Sequence, residues 1–338
     1  MSIEIETVDD PETWNDYVRR SPHGTVFHRH EALEVQATHS NTTLHPLVGY
    51  KGQEPVGLFP VFEFWKGPVP FVFSPPFDLR VQYLGPALCN MAKLKQRKRE
   101  QRHRRFVEGC IEWIEDRIEP RYLTVRTDWR YTDLRPFKWN GFEVQPSYTY
   151  VVDLGPDEEE VMGRFSRTTR RRIRNHLDDE YDVESGGRDE IEWIVRQVNE
   201  RFVEQGETTP LTESFVTDLY ERLPEGQVRP YVLSVDGDVL TGTILLEYDG
   251  TAHRWQGGVK VESDLPSNEL LEWHMMREAA GRGVTDYEIV DANYPRLNEW
   301  KSKFGPEVRS YHLLKRTSTG MDAAVRLYQR VRERSVHL

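Results

Sequence analysis

The 338-residue sequence has few of the residues that mark several classes of protein. Its two cysteines, Cys89 and Cys110, form neither a disulfide framework nor a zinc-binding pattern. No apolar run approaches the ~18 residues that a membrane-spanning helix needs. The start, MSIEIETVDD, is acidic and alternating rather than basic and then apolar, unlike a signal peptide. These absences predict a reduced, cytoplasmic protein without a membrane span.

Lysine is also scarce. The chain has 10 lysines against 35 arginines and 56 acidic residues, and its formal net charge is −11. A lysine-poor acidic surface keeps a protein soluble in concentrated salt because net charge opposes association. We therefore predict a halophilic source. Since salt screens exposed charges, a functional cation is expected in a partly enclosed place.

The arginines are concentrated in one short segment. Six of them, and no lysine, lie between Arg164 and Arg174. The spacing predicts a helix over 161–177 with one apolar and one basic face. The apolar face would hold Met162, Phe165, Thr169, Ile173 and Leu177, and the basic face Arg164, Arg167, Arg171 and Arg174.

This basic face is a candidate anion site. Guanidinium groups offer planar, two-pronged donors that suit phosphates and carboxylates. We expect Arg167, Arg171 and Arg174 to border a cleft between two domains and to bind substrate there. The alternative is a solvated face balanced by nearby carboxylates such as Asp178 and Asp179. A second basic run, residues 93–105, predicts the start of a helix, with a footprint for tRNA as its functional alternative.

Two segments of the chain, 47–61 and 232–246, match at an offset of 185 residues. Each has an apolar strand, a glycine-containing turn and a second apolar strand, which Gly57 or Gly242 opens. This pattern predicts two hairpins with a bulge or a close backbone approach at each glycine. The shared positions of Gly57 and Gly242 favour a duplication.

The flanking patterns support two similar α/β units. Helices are predicted over 11–20, 28–37, 102–117, 190–205, 213–223 and 268–281, and further strands over 81–84, 122–126, 252–257, 287–290 and 308–314. This order predicts mixed central sheets flanked by helices, in two tandem domains with a cleft between them. We expect domain 1 over 1–155, closed by the segment 148–156, and domain 2 over 156–316. A final helix, within 317–338, follows them.

The second half carries a series of short motifs. Trp255-Gln-Gly-Gly258 ends a strand, and Asp264-Leu-Pro-Ser-Asn268 opens a helix, where Ser267 or Asn268 is expected to cap. Trp300-Lys-Ser-Lys-Phe-Gly305 comes later. Together with Thr168-Thr-Arg-Arg-Arg-Ile-Arg174, these motifs resemble the FemAB-like and BioF2-like branch of the GNAT acyltransferase superfamily.

The resemblance implies two tandem GNAT domains and transfer of an acyl or aminoacyl group to an amine. It implies that Lys301 lies near the transferring group, that basic residues hold substrate phosphates, and that the C-terminal helix packs back on domain 1. The chain departs from typical GNAT enzymes in lacking the Q/R-x-x-G-x-G/A loop, which holds the pyrophosphate of CoA. We therefore expect aminoacyl-tRNA in preference to acyl-CoA as co-substrate, with both donors open, and no permanently bound cofactor.

Single residues can be given roles on this basis. Lys301 is the expected catalytic cation, at a cleft surface where its loss barely affects stability. Asp291 follows a strand and would position or deprotonate the amine, or else stabilise a turn. Substrate binding is assigned to Asn293, Ser267 and Asn268 and, in the first domain, to Asp78 and Arg80.

Two classes of function stay open from the sequence. The first is an acyltransferase or aminoacyltransferase that acts on an anionic small molecule or an envelope precursor. The second is a non-catalytic protein that binds a phosphorylated or anionic ligand on the same fold. The clustered histidines between His23 and His45 lack metal-ligand spacing, so no metal is assigned.

Overall fold

The computed structural model describes residues 3–204, 206, 211–258 and 263–318. The chain forms two compact units. The first comprises Met1–Pro146 and Tyr311–Leu338, and the second comprises Ser147–Ser310. The helix predicted near the C-terminus lies outside the described residues.

The first unit alternates short helices with strands and contains one long helix. Its helices are α1 (Pro11–Arg19), α2 (His30–Ser40), α3 (Gln96–Ile118) and α4 (Arg135–Trp139). Its strands are β1 (Glu4–Thr7), β2 (Thr43–Lys51), β3 (Glu54–Lys66), β4 (Val69–Ser74), β5 (Ala87–Leu88) and β6 (Tyr122–Thr127). As predicted, the basic run 93–105 leads into a helix, α3.

The second unit contains the GNAT-like motifs. Its helices are α5 (Glu158–Gly163), α6 (Arg167–Asn175), α7 (Arg188–Glu204), α8 (Glu213–Arg222), α9 (Ser267–Gly281) and α10 (Pro295–Lys301). Strand β7 (Glu143–Asp153) leads into it, and strand β13 (Glu307–Thr317) leaves it. The other strands are β8 (Asp182–Ser185), β9 (Val228–Val235), β10 (Asp238–Tyr248), β11 (Thr251–Gly257) and β12 (Asp286–Ile289).

The two units share one strand order. The first sheet runs β1-β2-β3-β4-β6-β13 and the second runs β8-β9-β10-β11-β12-β7. In both, the fourth and fifth strands are parallel, and the other neighbours are antiparallel. A parallel pair needs a crossover, which α3 supplies in the first unit and α9 in the second. The predicted fold class, two tandem GNAT-like units with mixed sheets, is confirmed.

Each sheet takes its sixth strand from the chain segment that follows the other unit. Residues Tyr150–Asp153 of β7 pair with β12 in the second unit, and His312–Thr317 of β13 pair with β6 in the first. The sequence predicted that the segment 148–156 closes the first unit. Its strand residues pair in the second unit instead. The unit boundaries also differ from 155 and 316, because sequence order does not reveal which sheet a terminal strand joins.

The glycines of the two hairpins are not in equivalent register. Gly57 lies opposite Gly49, whereas Gly242 lies opposite Val232; an offset of 185 would require Ser234 there. The prediction of register identity is wrong, and the duplication is carried by strand order instead. Both glycines do allow a close approach, as predicted. A Cβ at Gly57 would lie 2.9 Å from the Phe106 ring, and one at Gly242 2.6 Å from Ile194.

The predicted arginine helix over 161–177 is two helices, α5 and α6. Ser166 is extended between them, and its Oγ accepts a hydrogen bond from the Thr169 amide at 3.2 Å. This N-cap ends one helix and starts the next, which the continuous apolar pattern concealed. Met162, Phe165, Thr169 and Ile173 are buried as expected, but Leu177 is exposed.

The predicted strand over 81–84 is also wrong. Only Leu84 forms an isolated bridge, to Thr127, and the parallel neighbour of β6 is β4. Pro70 lies inside β4, where the Arg121 amide donates to its carbonyl. Four prolines between residues 67 and 77 hid this strand in the sequence.

Each unit has its own apolar core. In the first, Phe106, Cys110 and Ile114 of α3 pack with sheet residues that include Leu314 of β13. In the second, Leu270, Trp273 and Met276 of α9 pack with residues such as Tyr287, Phe165 and Ile173. These contacts hold the crossover helix of each unit against the sheet. They therefore also determine where the first turn of that helix lies.

Candidate active site

The candidate site of the second unit lies where the parallel strands β11 and β12 end. Arg254 of β11 pairs in register with Ile289 of β12. Helix α9 follows β11 in the chain, and α10 follows β12. In open sheets, ligands bind at the carboxyl ends of parallel strands. The side chains that these four elements bring together therefore form the candidate active site.

Lys301, the last residue of α10, is buried at the end of β12. Its Nζ donates to the main-chain carbonyls of Val290 and Asp291, the second at 2.6 Å. The side chain is 7% exposed, so its expected place at an open surface is wrong. An ammonium has three N–H donors, and two hydrogen bonds leave the third for another acceptor.

The electrostatic surroundings of Lys301 weaken its charged form. Burial and the neighbouring Arg254 lower the pKa of Lys301 to about 8, although Asp291 and Glu272 act in the opposite direction. A lysine with such a pKa lies near the point where it can gain or lose a proton under physiological conditions. Perturbed groups of this kind concentrate at functional sites.

A buried polar network supports Arg254 beside Lys301. The Arg254 Nε donates to the Glu272 carboxylate at 2.6 Å, and the Tyr287 hydroxyl donates to the other Glu272 oxygen at 2.9 Å. The guanidinium lies 5.2 Å from the centre of the Trp300 ring. Glu272 is 1% exposed, so the pair is held in a low-dielectric place and has a fixed geometry.

A second guanidinium lies at the end of β11. Arg201 of α7 donates to the carbonyl of Gly258. Burial and the charges of Arg254 and Arg296 lower the pKa of Arg201. A Cβ at Gly258 would lie 2.9 Å from an Arg254 nitrogen, and Gly258 has φ +82°. Glycine is therefore required where the main chain passes the two arginines.

Asp291 and Asn293 have defined partners at the end of β12. Asp291 has φ 67°. Its Oδ1 accepts from the Asn293 amide at 3.1 Å and from the Asn293 side chain at 2.8 Å. The Asn293 Oδ1 accepts in turn from the Tyr148 amide at 2.9 Å. These bonds stabilise the turn after β12, and this is the structural role that the sequence offered as the alternative for Asp291. The substrate roles of Asp291 and Asn293 stay predictions.

The residues at the start of α9 do not cap it. Pro266 is the N-cap, and no side chain provides a cap hydrogen bond, so the expected capping by Ser267 or Asn268 is wrong. The Asn268 Oδ1 instead accepts from the Thr241 hydroxyl at 2.7 Å, and Ser267 is buried. Their predicted contact with substrate remains a prediction.

The arginines of α6 are exposed on a helix that is itself anchored. Arg172 binds Glu269 in the first turn of α9 at 2.8 Å, and Arg174 pairs with Glu159. In the part of the chain that the structure describes, Arg167 and Arg171 form no ion pair. The carboxylates paired with Arg164 and Arg174 of the basic face lie on α5 and β7 rather than at 178–180. Anion binding by Arg167, Arg171 and Arg174 stays a prediction.

Asp78 and Arg80 occupy the loop after β4 in the first unit. Both have a left-handed backbone, with φ 63° and 54°. Asp78 is exposed and Arg80 half-buried. Such conformations cost energy outside glycine, so the loop is held by its surroundings. Their assignment to substrate binding is a prediction that concerns the first unit alone.

Sequence reasoning missed the residues that surround Lys301: Arg201, Arg254, Glu272 and Arg296. One signal was available, since Arg254 is a charged residue in a predicted strand that also holds Ala252 and Trp255. A charged residue in such a strand must find a partner when it is buried. The partner, Glu272, lies 18 residues away in a helix, and no local pattern connects the two.

Among the described residues, no group of three or more histidine, cysteine, aspartate or glutamate side chains is arranged to hold a metal ion. No helix in the same ranges combines the length and hydropathy needed to cross a membrane.

Comparison with known families and structures supports the GNAT resemblance. Residues 163–302 match the family described as Acetyltransferase (GNAT) domain. This range runs from the end of α5 to just beyond Lys301, and it contains α6, α9 and the whole Arg254 network. The second half of the chain thus resembles a GNAT domain. No curated protein matches the sequence.

Solved structures extend the resemblance over both units. The crystal structure of FemX is similar with a TM-score of 0.72 and 12% identity, covering 91% of this chain and 96% of FemX. The C-terminal domain of a putative lysylphosphatidylglycerol synthetase from Agrobacterium fabrum gives a TM-score of 0.57 and 13% identity, covering 95% of each chain. L-PGS from Bacillus licheniformis gives 0.57 and 10% identity, covering 97% of this chain and 98% of that one. At these identities the likeness shows the fold alone, which is the one seen in FemX.

Proposed function

We propose that the protein is an N-acyltransferase that moves an aminoacyl, or else an acyl, group from an activated donor to a primary amine on an anionic acceptor. The GNAT domain over 163–302 and the FemX-like fold support acyl transfer as the class of reaction. The observation that carries the proposal is the buried Lys301, fixed at the end of β12 beside two arginines.

Lys301 would act on the charge that develops during transfer. When the amine attacks the carbonyl carbon, the carbonyl oxygen becomes an oxyanion in the tetrahedral intermediate. With a pKa of about 8, Lys301 is mostly protonated at neutral pH. Two of its donors are fixed by Val290 and Asp291, so the third can be held ready for the oxyanion at little reorganisation cost.

Arg201 and Arg254 would bind anionic parts of a substrate next to this centre. Arg254 is oriented by Glu272 and Arg201 by the Gly258 carbonyl. Guanidinium groups fixed in this way lose little freedom when they bind a phosphate or carboxylate. Arg167 and Arg171 on α6 would extend the basic surface toward a larger anionic substrate such as tRNA.

Asp291 would serve the attacking amine. The two hydrogen bonds from Asn293 both reach Oδ1, and they orient the carboxylate. Oδ2 would then accept a hydrogen bond from the ammonium of the acceptor or take its proton. The amine attacks, the proton leaves through Asp291, and the donor's alcohol or thiol departs as the intermediate collapses.

The state of the two cysteines favours direct transfer of the group from donor to acceptor, without an intermediate covalently bound to the enzyme. Burial raises the pKa of the Cys89 thiol to about 12 and that of Cys110 well above its ordinary value. A buried, protonated thiol is a poor nucleophile, so a thioester on the enzyme is not expected. Catalysis would depend on alignment of amine and carbonyl and on charge stabilisation.

An aminoacyl donor is favoured over acyl-CoA by two observations. The chain lacks the glycine-rich loop that holds the pyrophosphate of CoA. One similar structure is named as the C-terminal domain of a putative lysylphosphatidylglycerol synthetase, and the group in that name is an amino acid. The acceptor would be an anionic molecule, such as an envelope precursor or a lipid.

The alternative is a non-catalytic protein that binds an anionic ligand on this fold. One observation favours it: Lys301 has a sufficient structural role, because it satisfies two carbonyls at the end of β12. The two proposals differ in what Lys301 does. A binding protein keeps affinity for its ligand but transfers nothing.

Label transfer distinguishes the two. The protein is incubated with radiolabelled aminoacyl-tRNAs and, separately, with labelled acyl-CoAs, with host extract as acceptor. Transfer from aminoacyl-tRNA that Lys301→Met removes and Lys303→Met preserves supports the proposal. Transfer from acyl-CoA alone overturns the donor assignment. No transfer from either, with retained anion binding, favours the binding protein.

A further inference from the structure

We propose that the first unit has a separate small-molecule site, which binds a ligand with a dianionic phosphate group on an apolar body. The site is a cavity of about 1070 Å³ that lies entirely within the first unit. This volume is at the upper end of the range of small-molecule pockets. Its walls come from the segment around His23, the first two turns of α3, the loop after β6, and α4.

The cavity occupies the same topological place as the candidate active site of the second unit. In each unit, the fourth and fifth strands are parallel and one helix crosses between them. The cavity is bounded by the loop after the fifth strand, β6, and by Arg99 and His103 near the start of the crossover helix, α3. The corresponding elements of the second unit carry Asp291 and Glu272. The fold therefore provides a ligand place in both units.

The cavity is basic within an acidic chain. Arg99, Arg130, Arg135 and Lys138 line it, with Glu100 and Asp133 as the only carboxylates in its wall, so the lining carries a net +2. The charge of the whole chain is −11. A local excess of cations in a concave surface concentrates anions.

Arg135 bridges the two carboxylates of the wall. Its Nε donates to Asp133 Oδ1 at 2.8 Å, and its Nη2 donates to Glu100 at 3.0 Å. Arg130 lies 4.6 Å from the centre of the Trp129 ring and pairs with Asp128 at 3.4 Å. Within the described ranges, Arg99 and Lys138 have no ion pair. Their charges are thus available to a ligand.

The imidazole of His23 adds a fixed neutral donor. Its Nδ1 accepts from the Leu88 amide at 3.3 Å, so the ring proton lies on Nε2. Burial, with His103 and Arg130 nearby, lowers the pKa of His23 to about 4, and the ring is neutral at physiological pH. Nε2–H can donate to a ligand oxygen and cannot accept.

A relay of side chains fixes the inner wall. The Asp133 carboxylate lies 3.5 Å from Nδ1 of His103, which places the proton on that nitrogen. The Tyr131 hydroxyl then donates to His103 Nε2 at 2.5 Å. His103 and Tyr131 are buried, and the Tyr131 ring packs edge-on against His23. This rigid wall holds His23 in place.

These features select the class of ligand. The two cations without an ion pair among the described residues, Arg99 and Lys138, match the two charges of a dianion, which a phosphate monoester is above its second pKa of about 6. Leu88, Met91 and Val144 supply apolar surface for the rest of the molecule. A monoanionic sulfate ester of the same shape would leave one positive charge unmatched. The chemistry thus points to a phosphorylated small molecule.

Binding of phenyl phosphate to the full-length protein tests the proposal by calorimetry, with phenyl sulfate as the monoanionic probe of the same shape. We expect saturable binding of phenyl phosphate that is at least several-fold tighter than that of phenyl sulfate. Arg99→Gln and Lys138→Gln should each weaken it roughly tenfold. Arg97→Gln, on the same helix but outside the cavity wall, should leave it unchanged.

Three results would overturn the site: no saturable binding at millimolar phenyl phosphate, equal affinity for both probes, or equal loss with Arg97→Gln. Thermal unfolding of each variant shows whether the fold is retained. The readout is independent of acyl transfer, because all the substituted residues lie in the first unit. Failure here therefore leaves the label-transfer result untouched, and the reverse holds too.

Discussion

At the residue scale, Lys301 has both a structural and a proposed chemical role. Lys301→Met should lower the transfer rate by roughly 10²–10³-fold if the ammonium stabilises an oxyanion. It should also destabilise the protein by about 1–3 kcal/mol, because two buried carbonyls lose their donor. The rate is measured well below the melting temperature of the variant. Lys303→Met is the control, and an equal loss of rate there would contradict the role of Lys301.

The lowered pKa of Lys301 predicts how stability depends on pH. Between its folded pKa of about 8 and its ordinary value of 10.5, the unfolded chain holds the proton and the folded protein does not. The free energy of unfolding contributed by Lys301 therefore rises through this window, by about 1.4 kcal/mol per pH unit at most, and is flat below it. Denaturant titrations of the protein and Lys301→Met at pH 7.5 and 9.5 measure it. A difference between the two proteins that stays constant with pH would show that Lys301 has an ordinary pKa.

Glu272 shows what a buried ion pair contributes. Glu272→Ala leaves Arg254 buried and unpaired and removes the acceptor of Tyr287, so we expect a loss of about 3–5 kcal/mol. Glu192→Ala breaks an exposed pair with Arg188 and should leave the unfolding midpoint nearly unchanged. Urea unfolding of both variants provides the comparison. Equal midpoints would mean that the Arg254 network adds no stability.

At the scale of elements, α6 is a short helix whose position is fixed by contacts with its surroundings. Ser166 caps it, Ile173 is buried, and Arg172 binds α9, so Arg167 and Arg171 are presented on a fixed backbone. Exposed arginines in high salt gain little from single contacts. Their contribution to binding must come from several fixed cations acting on one anion.

Charge reversal tests this helix. Arg171→Glu should weaken the binding of inorganic pyrophosphate roughly tenfold while circular dichroism and the melting temperature stay the same. Arg188→Glu reverses an exposed arginine elsewhere on the second unit and should have no effect. Titration at low and high salt measures both. Unchanged affinity in Arg171→Glu would assign α6 to the solvated surface.

At the scale of the whole molecule, the sixth strand makes the first unit depend on a distant part of the chain. Leu314 of β13 is fully buried in the core of the first unit, although some 190 residues separate it from β6. Leu314→Ala should destabilise that unit by about 2–5 kcal/mol. Hydrogen exchange should then speed up in β6 and α3 rather than in α9. Val308→Ala, at an exposed position of the same strand, is the control, and equal effects would contradict the assignment of β13.

The sequence alone predicted those parts of the protein that depend on local periodicity and composition. Helices such as α8 and α9, the hairpin strands and the parallel strands β11 and β12 were predicted with small errors at their ends, whereas α3 begins six residues before its predicted start. These elements have regular apolar spacing and turn residues at their limits. Lys301 could be singled out because it lies in a recognisable motif of a lysine-poor chain.

Only the tertiary structure showed which distant residues meet. Arg254, Glu272, Arg201 and Lys301 come from four elements, and their burial makes them mutually dependent. The register of the hairpins and the pairing of β13 with β6 depend on hydrogen bonds between strands. The local spacing of residues does not predict these bonds. The cavity of the first unit arises in the same way, from side chains that only the packing of α3 on its sheet brings together. The local pattern of residues shows which secondary structure a segment prefers. Which segments pack or pair with each other is decided by the free energy of burying charges and strand edges in the folded chain.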